Sequence, residues 1–240
     1  MGQDVDAPDL AGCSYGDVDG DHELVLVGDS IAGSVFPAVE EAADRHGWRV
    51  RAWAKSSCTV ADVTTHVKGS DQVWTACSRW RERVLAEIER RRPDLVVLAG
   101  SSGTFGLTMS PHGRVLGDGR ERDQLVREGL LRTVERLRDG GTRVALVQSP
   151  HRARRLVPDC LAAEGDPAAC SFTPRDETRH TDWVARQLPD LPYLRVADAA
   201  CPGGRCRAVV GDTIVYRDKL HFTTRFARTL VPLVERAVAS

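Results

Sequence analysis

Short apolar runs recur along the chain, separated by segments of mixed polarity. Continuous runs begin at Leu24, Leu95 and Val144, and such runs are typical of strands buried on both faces of a parallel sheet. Alternation of apolar and polar residues predicts a further strand at Trp48–Ala52, and a short apolar stretch predicts another at Tyr193–Val196. The pattern therefore predicts strands spread over most of the length of the chain.

Most segments between these strands carry apolar residues every three or four positions, which indicates helices. The first helix is predicted after Ser30, and Pro37 inside it is expected to kink the helix or to delay its start. Two more helices end at Pro93 and at Gly140-Gly141, and a fourth is predicted around Trp183–Leu188. A last helix is predicted as one unit with these residues on one face: Phe226, Leu230, Leu233 and Ala237.

Strands that alternate with helices predict a three-layer α/β/α sandwich around a mostly parallel, doubly wound sheet, as in flavodoxin-like folds. The chain of 240 residues is long enough for one such domain. Residues 1–22 carry little apolar content and are predicted to be a leader or linker, and residues 23–240 are predicted to form the single domain. Residues 104–120 and 151–175 lack periodicity and are predicted to be irregular loops.

The charge balance gives no support for a nucleic-acid partner. Lys and Arg number 33 against 34 Asp and Glu, so the net charge of -1 attracts neither nucleic acid nor an anionic membrane surface. Arg-rich patches occur at Arg90–Arg92, predicted as a solvated helix end, and at His151–Arg155. No apolar run approaches the ~20 residues of a membrane span. The polar first residues do not resemble a signal peptide, and the Met-Gly start is expected to be a cut made for expression.

The seven cysteines form three local pairs and leave Cys13 over; the pairs are Cys58/Cys77, Cys160/Cys170 and Cys201/Cys206. The last two pairs close short loops rich in Pro, Gly and Asp. No pair has C-x-x-C spacing, and no His follows at zinc-finger distance, so we predict no metal site. We interpret the pairs as disulfides, which indicates an oxidising compartment; the alternative is seven reduced cysteines in the core. Cys13 is then a free thiol or pairs outside this chain.

Three predicted strands end in small polar residues: Gly28-Asp29-Ser30, Gly100-Ser101-Ser102 and Ser149-Pro150-His151. In open parallel sheets the ligand crevice lies at the carboxyl ends of the strands. Ser30 is also expected at a helix N-terminus, where backbone N–H groups stabilise an oxyanion. By itself the triplet fits a turn with a capping residue equally well.

A serine nucleophile needs a base within reach and an acid that orients the base. In "YRDKLHF" Asp218 precedes His221 by three residues, so one loop can present both side chains. A lone D-x-x-H also fits a surface turn, and His151 at a strand end is the reserve candidate for the base. Combined with a GDS triplet near the other end of an α/β chain, the D-x-x-H pair favours Ser30 as a nucleophile.

Two blocks, "VLVGDSIAG" and "DKLH", resemble the first and last blocks of the SGNH (GDSL-like) hydrolase superfamily. The resemblance is closest to one subgroup, the SGNH domain that is fused behind the membrane-embedded acyltransferase family 3 module. The features similar to that subgroup are the C…C loops and the segments "AWAKSSC", "CSRWRERVLAEI" and "PDLVVLAGS". The resemblance extends from about Cys13 to the C-terminus.

This resemblance implies a triad in which Ser30 is the nucleophile, His221 the general base and Asp218 the residue that orients the base. The backbone N–H of Ser30 is then one oxyanion donor. The second block usually has a glycine, and here Ser57 supplies the candidate N–H. The third block is usually Gly-x-Asn, and Ser102 stands at the Asn position with a shorter, rotating hydroxyl. Loss of one oxyanion donor costs about 10²–10³ in rate.

Two further residues are interpreted through the resemblance. Asp29 is expected to hold the turn locally through backbone N–H groups rather than to act as the triad acid. Proteins of the subgroup often pair a cysteine at the position of Cys13 with one farther upstream, which implies a membrane module before residue 1.

The leading hypothesis is an extracytoplasmic serine O-acyltransferase domain, with O-acetyl transfer the expected reaction, acting on cell-envelope glycans or glycolipids. The acyl donor is expected from the membrane module, and no cofactor or metal is expected. The loops at 104–120 and 151–175 are expected to shape the acceptor site, with Phe105 and Arg152 as candidate contacts. The alternatives are a secreted carbohydrate or lipid esterase and a catalytically weak glycan-binding module.

Overall fold

The computed structural model describes residues 14–67, 69–101, 108–174 and 179–239. The strands in chain order are β1 Ser14–Gly16, β2 His22–Gly28, β3 Trp48–Ala54, β4 Thr64–Thr65, β5 Leu95–Ala99, β6 Thr108–Met109, β7 Val115–Leu116, β8 Arg143–Val147, β9 Tyr193–Leu194, β10 Val209–Val210 and β11 Thr213–Ile214. The α-helices are α1 Ser30–Arg45, α2 Thr75–Arg91, α3 Arg120–Asp139, α4 Val157–Glu164, α5 Pro167–Cys170, α6 His180–Gln187, α7 Val196–Ala200, α8 Thr224–Arg228 and α9 Val231–Ala239.

The main sheet has the strand order β1-β3-β2-β5-β8-β9. All neighbours pair in parallel except β1, which lies antiparallel to β3 at one edge. The parallel strands therefore follow the order 2-1-3-4-5, the doubly wound arrangement of flavodoxin-like folds. The prediction of an α/β fold with a mostly parallel sheet is confirmed. Two small sheets, β4-β6-β7 and β10-β11, lie outside it.

The central strand β2 is buried on both faces because its side chains alternate between two cores. Leu24 and Leu26 belong to the core formed with α1, α8 and α9. Val25 and Val27 belong to the core formed with α2, α3 and α6. Complete burial of such a side chain contributes roughly 1.5–3 kcal/mol. The continuous apolar run thus holds the strand between two helical layers.

The chain ends differ from the sequence-based expectations. Residues 14–16, expected in the leader, form the edge strand β1 on β3. The last helix is two helices, α8 and α9, joined at Thr229 and Leu230. Pro232 explains the break, since it lies in the first turn of α9, where its missing N–H costs nothing, but inside one long helix it would remove a bond. Pro37 does not delay the start of α1, because Asp29 caps this helix directly before Ser30.

The two predicted loops contain short regular elements. In the first, β6 and β7 pair with each other and β6 pairs with β4; residues 102–107 lie outside the described ranges. In the second, Pro158 lies in the first turn of α4, and Asp166 caps α5. Prolines and caps rather than periodicity start these helices, so a search for apolar spacing misses them.

Three disulfides are present, as predicted: Cys58–Cys77, Cys160–Cys170 and Cys201–Cys206. The first joins the turn after β3 to α2, and the second joins α4 to α5. Cys13 lies outside the described residues. Within the described ranges, none of the helices combines the length and the apolar character needed to cross a membrane.

Candidate active site

The crevice of this fold lies where the strand order reverses, between the carboxyl ends of β2 and β5. Gly28 ends β2 there, and a Cβ added to it would lie 1.7 Å from the carbonyl oxygen of Ala99. The backbone N–H of Lys55, which follows β3, donates to the Gly28 carbonyl at 3.0 Å. Glycine is therefore required at this position, because the neighbouring backbone leaves no room for a side chain.

Asp29 fastens the end of β2 to the end of β5. One carboxylate oxygen accepts the N–H of Ile31 at 2.8 Å, which caps α1. The other accepts the backbone N–H and the hydroxyl of Ser101, at 2.9 and 2.8 Å. Burial raises the pKa of Asp29, and the hydrogen bonds offset only part of that effect. These contacts are those of a residue that holds the turn.

Ser30, the first residue of α1, lies in a line of hydrogen-bonded groups with His221 and Asp218. The Oγ of Ser30 is 2.7 Å from Nε2 of His221. Nδ1 of His221 is 2.7 Å from Oδ2 of Asp218. The imidazole therefore has one nitrogen on a carboxylate and the other on a hydroxyl, which is the arrangement that activates a serine.

The loop that carries His221 is held by its own backbone. Oδ1 of Asp218 accepts the N–H groups of Leu220 and His221 at 2.7 and 2.8 Å. Burial acts to raise the pKa of Asp218, but these N–H groups and the His221 ring together hold the pKa below its ordinary value. The carboxylate thus stays ionised and keeps the ring orientation fixed.

One hydrogen bond ties this loop to the helix of the serine. The N–H of Phe222 donates to the hydroxyl of Ser34 at 2.7 Å, across 188 positions of sequence. Ser34 is buried on α1, one turn after Ser30. The His221 ring is therefore aligned with the Ser30 hydroxyl by a contact made on the same helix.

The N–H of Ser30 is available at the start of α1. A helix leaves its first N–H groups without intrahelical partners. Those of Asp29, Ile31 and Ala32 have acceptors in Ala99 O, Asp29 Oδ1 and Asp29 O. In the described part of the chain, no acceptor lies at the Ser30 N–H, so it is free to bind an oxyanion.

Ser57 takes a backbone conformation that glycine adopts most easily. Its φ is 62°, in the left-handed region, inside a turn closed by the Cys58 N–H on the Lys55 carbonyl at 3.0 Å. The disulfide Cys58–Cys77 anchors this turn to α2. Ser57 thus takes a conformation that a glycine would adopt without a steric cost.

A model of a known protein family matches most of the chain. The model for the SGNH domain fused to AT3 domains matches residues 2–236. The chain belongs to this family. In other proteins such SGNH domains are fused to AT3 membrane acyltransferase domains.

Solved structures show the same fold. The periplasmic domain of a lipopolysaccharide acetyltransferase from Salmonella ser. Paratyphi A superposes with a TM-score of 0.69 at 16% identity, over 92% of this chain and 85% of that one. The psychrotrophic esterase EstA from Pseudoalteromonas sp., inhibited by monoethylphosphonate, superposes with a TM-score of 0.50 at 10% identity, over 91% of this chain and 97% of that one. The comparison with curated proteins gave no significant match.

Several residues named from the sequence fall outside the described parts of this SGNH domain. Ser102, the third candidate oxyanion donor, is among them, as are Cys13 and Phe105. The preceding Ser101 is described and binds Asp29. Arg152, a candidate acceptor contact, is exposed after β8.

His151, the reserve base, serves a different network in the SGNH domain. Arg179 donates to its Nε2 at 2.9 Å, so the proton lies on Nδ1, which is buried and has no acceptor in the described residues. Burial, with the Arg179 cation second, lowers the pKa of His151. Arg179 also pairs with Asp182, to which Tyr193 donates at 2.5 Å. His221, not His151, lies at Ser30.

The positioning contacts of two residues were missed from the sequence: Ser34, which was not singled out, and Ser101, which was named only as part of a strand end. Each binds a partner far away in sequence, and a lone serine gives no periodic signal. Ser34 does lie one helical turn after Ser30, on the apolar face of α1, where a buried hydroxyl needs a partner. In the described ranges no group of three or more His, Cys, Asp or Glu is placed to hold a metal.

Proposed function

We propose that this SGNH domain is the extracytoplasmic catalytic domain of a serine O-acyltransferase, which moves an acyl group, acetyl in the leading case, onto a hydroxyl of a cell-envelope glycan or glycolipid. The observation that carries the proposal is the line of hydrogen bonds Ser30–His221–Asp218. Family membership and the disulfides support the reaction class and an oxidising compartment.

In the first half-reaction His221 Nε2 takes the proton of Ser30 as Oγ attacks the carbonyl carbon of the acyl donor. Negative charge develops on the carbonyl oxygen, where the N–H of Ser30 donates; Ser57 is the second proposed donor and Ser102 the third. Asp218 stabilises the imidazolium formed in this step. The C–O bond to the donor then breaks, and the proton passes from His221 to the leaving oxygen.

In the second half-reaction the acyl group leaves Ser30 for the acceptor. His221 takes the proton of the acceptor hydroxyl, whose oxygen attacks the acyl carbon. When the intermediate collapses, Ser30 regains its proton from His221. The same residues thus serve both directions of acyl transfer.

A membrane module of the AT3 type is the proposed donor partner, and we place the domain on the extracytoplasmic side of the membrane, anchored through that module. The support is the family, whose SGNH domains occur fused to AT3 domains. The Salmonella lipopolysaccharide acetyltransferase domain, which shares the fold, is periplasmic.

The deciding experiment follows covalent labelling and products together. A fluorophosphonate probe should label the wild-type protein, and Ser30→Ala should abolish labelling and lower p-nitrophenyl acetate turnover by about 10³-fold or more. Ser78→Ala, which removes a hydroxyl on α2 outside the site, is the matched control for labelling. Full turnover by Ser30→Ala would falsify the proposal.

The products then separate transfer from hydrolysis. An acylated sugar formed by the full-length protein supports the transferase. Release of free acetate at the same rate with and without a sugar acceptor would identify an esterase instead. A domain that neither labels nor turns over substrate would be a glycan-binding module.

A further inference from the structure

A basic cleft lies beside the loop of the catalytic histidine. Its cavity of about 320 Å³ is in the range of small-ligand sites. Arg154, Arg155, Phe172 and Thr173 are among its lining residues, and no acidic residue is among the described residues that line it. The cleft thus combines positive charge, a hydroxyl and an aromatic ring in one concave surface.

The cleft is connected to the site through the backbone. Ala153, which lines the cleft, donates its N–H to the carbonyl of Lys219 at 2.7 Å. Lys219 follows Asp218 directly, and Arg217 donates its N–H to the carbonyl of His221 at 2.9 Å. A ligand in the cleft therefore lies next to the segment that holds the base.

The walls of the cleft are fixed. Arg155 pairs with Glu164 at 3.0 Å and donates to the carbonyl of Ala169 at 3.3 Å. The disulfide Cys160–Cys170 joins the two short helices behind it. The N–H of Phe172 bonds the carbonyl of Cys206 at 2.9 Å, and its ring packs on Tyr216 at 5.7 Å. A preformed cleft of this kind loses little entropy when a ligand binds.

The positive charge around the cleft is neutralised only in part, by the pairing of Glu164 with Arg155. Arg154 and Arg217 are exposed and Lys219 is half-buried, and none of the three pairs with a carboxylate in the described parts of the chain. Asp218, the acidic residue between them, is occupied by His221 and two backbone N–H groups. In a protein with a net charge of -1, this local excess favours a negatively charged ligand.

We propose that this cleft binds a negatively charged sugar, carrying a carboxylate or a phosphate, that belongs to the acceptor chain next to the hydroxyl acylated from Ser30. Arg154 and Lys219 supply the charge that selects it, and Phe172 and Thr173 contact the ring. The inference rests on the proposed acyl transfer and names the class of its acceptor.

Binding is measured without turnover in the Ser30→Ala variant. The probes are a galacturonic acid oligomer against its methyl ester, and glucose 6-phosphate against glucose, each titrated by calorimetry. We expect the charged member of at least one pair to bind about tenfold tighter at low salt, with a difference that shrinks as salt is added. The carboxylate and phosphate pairs also separate the two sources of charge.

Substitutions assign the preference to the cleft. Arg154→Gln with Lys219→Gln should remove most of the discrimination, with folding checked by circular dichroism. Arg83→Gln is the matched control, because Arg83 is an exposed arginine on α2, on the opposite face of the sheet, and pairs with no carboxylate among the described residues. It should keep the discrimination.

The inference is overturned if the charged and the neutral sugar of each pair bind equally well. It is also overturned if Arg83→Gln loses as much discrimination between them as Arg154→Gln with Lys219→Gln. Binding to phosphatidylglycerol vesicles without discrimination between the sugars also overturns it, in favour of a membrane contact. If charge selection is seen while Ser30→Ala keeps full p-nitrophenyl acetate turnover, the proposed acyl transfer fails and the subsite stands. If labelling and transfer depend on Ser30 but no charge selection is found, only the subsite fails.

Discussion

The proposed nucleophile and the proposed base of this domain are held in place by different means. Ser30 starts a sixteen-residue helix that follows a strand buried from Leu24 to Gly28, and the contact of Gly28 with Ala99 fixes where that helix begins. His221 lies in a segment without helix or strand, where its N–H and its Nδ1 bond the carboxylate of Asp218 and the N–H of the next residue, Phe222, donates to Ser34. The serine side therefore depends on packing of the whole sheet, whereas the histidine side depends on a few polar contacts.

This contrast predicts that substitutions around Ser30 lower mainly the free energy of unfolding, whereas substitutions around His221 lower mainly the rate of turnover. Equal losses of unfolding free energy in the two sets of substitutions would contradict the contrast.

The largest expected effect is that of Asp218→Asn on the rate. The amide keeps an oxygen for the N–H groups of Leu220 and His221 but loses the charge that stabilises the imidazolium. We expect p-nitrophenyl acetate turnover to fall by about 10⁴, with the unfolding free energy changed by about 1 kcal/mol or less. A rate within tenfold of wild type contradicts the role of the carboxylate.

The reverse behaviour is expected for Gly28→Ala. The added Cβ would overlap the Ala99 carbonyl, so the variant should lose about 3 kcal/mol or more of stability in denaturant unfolding. Gly33→Ala is the control, since Gly33 lies nearby in α1 with no atom within 4 Å of the added Cβ. This control should gain up to about 1 kcal/mol.

A smaller effect is expected when the hydrogen bond from the Phe222 N–H to the Ser34 hydroxyl is removed. Ser34→Ala leaves the Phe222 N–H buried without its acceptor, which should cost about 1–3 kcal/mol and lower turnover roughly tenfold or more because the base is misaligned. Thr133→Val is the matched control, because the Thr133 hydroxyl also bonds a distant backbone group, the Val60 carbonyl at 2.8 Å, but in the other layer. It should cost similar stability and leave turnover near wild type. Equal rate losses in both variants argue for a general effect of stability.

The smallest effect is a difference in pH dependence between the two aspartates. The folded protein lowers the pKa of Asp218, so this residue stabilises the fold above its ordinary pKa of 3.8, and that contribution is lost as the pH falls through the folded value. Asp29 has a raised pKa, so its ionisation costs stability at neutral pH, and acidification relieves the cost. Both contributions are measured from the unfolding free energies of wild type, Asp218→Asn and Asp29→Asn between about pH 3 and 7. As the pH falls, the difference in unfolding free energy between wild type and Asp218→Asn should become smaller. The difference in unfolding free energy between wild type and Asp29→Asn should shift in favour of wild type.

The difference between regions held by packing and regions held by a few polar contacts also explains what could be predicted from the sequence. The buried strands and the helices α2 and α3 were predicted because their apolar spacing reflects burial in the fold. The edge strand β1 was missed, because three residues at a sheet edge carry no pattern. α4 and α5 were missed because their starts depend on proline and aspartate.

For the site, the sequence supplied the residues but not the contacts that align them. Ser30, Asp218 and His221 were named from two short blocks, and the structure brings their side chains within hydrogen-bonding distance. The hydrogen bonds of Ser34 and Ser101 depend on where distant segments meet, which local patterns do not encode. The conformation of Ser57 was also beyond the sequence, since serine seldom takes a positive φ.

The hydrogen bond between Ser30 and His221 joins residues 191 positions apart. A contact of such separation forms only after the intervening strands and helices have been ordered, because closing so long a loop is unfavourable until other contacts have shortened it. A partly folded or incomplete chain of this domain therefore carries an unactivated serine. Reactivity at Ser30 thus reports that folding of the chain has reached its end.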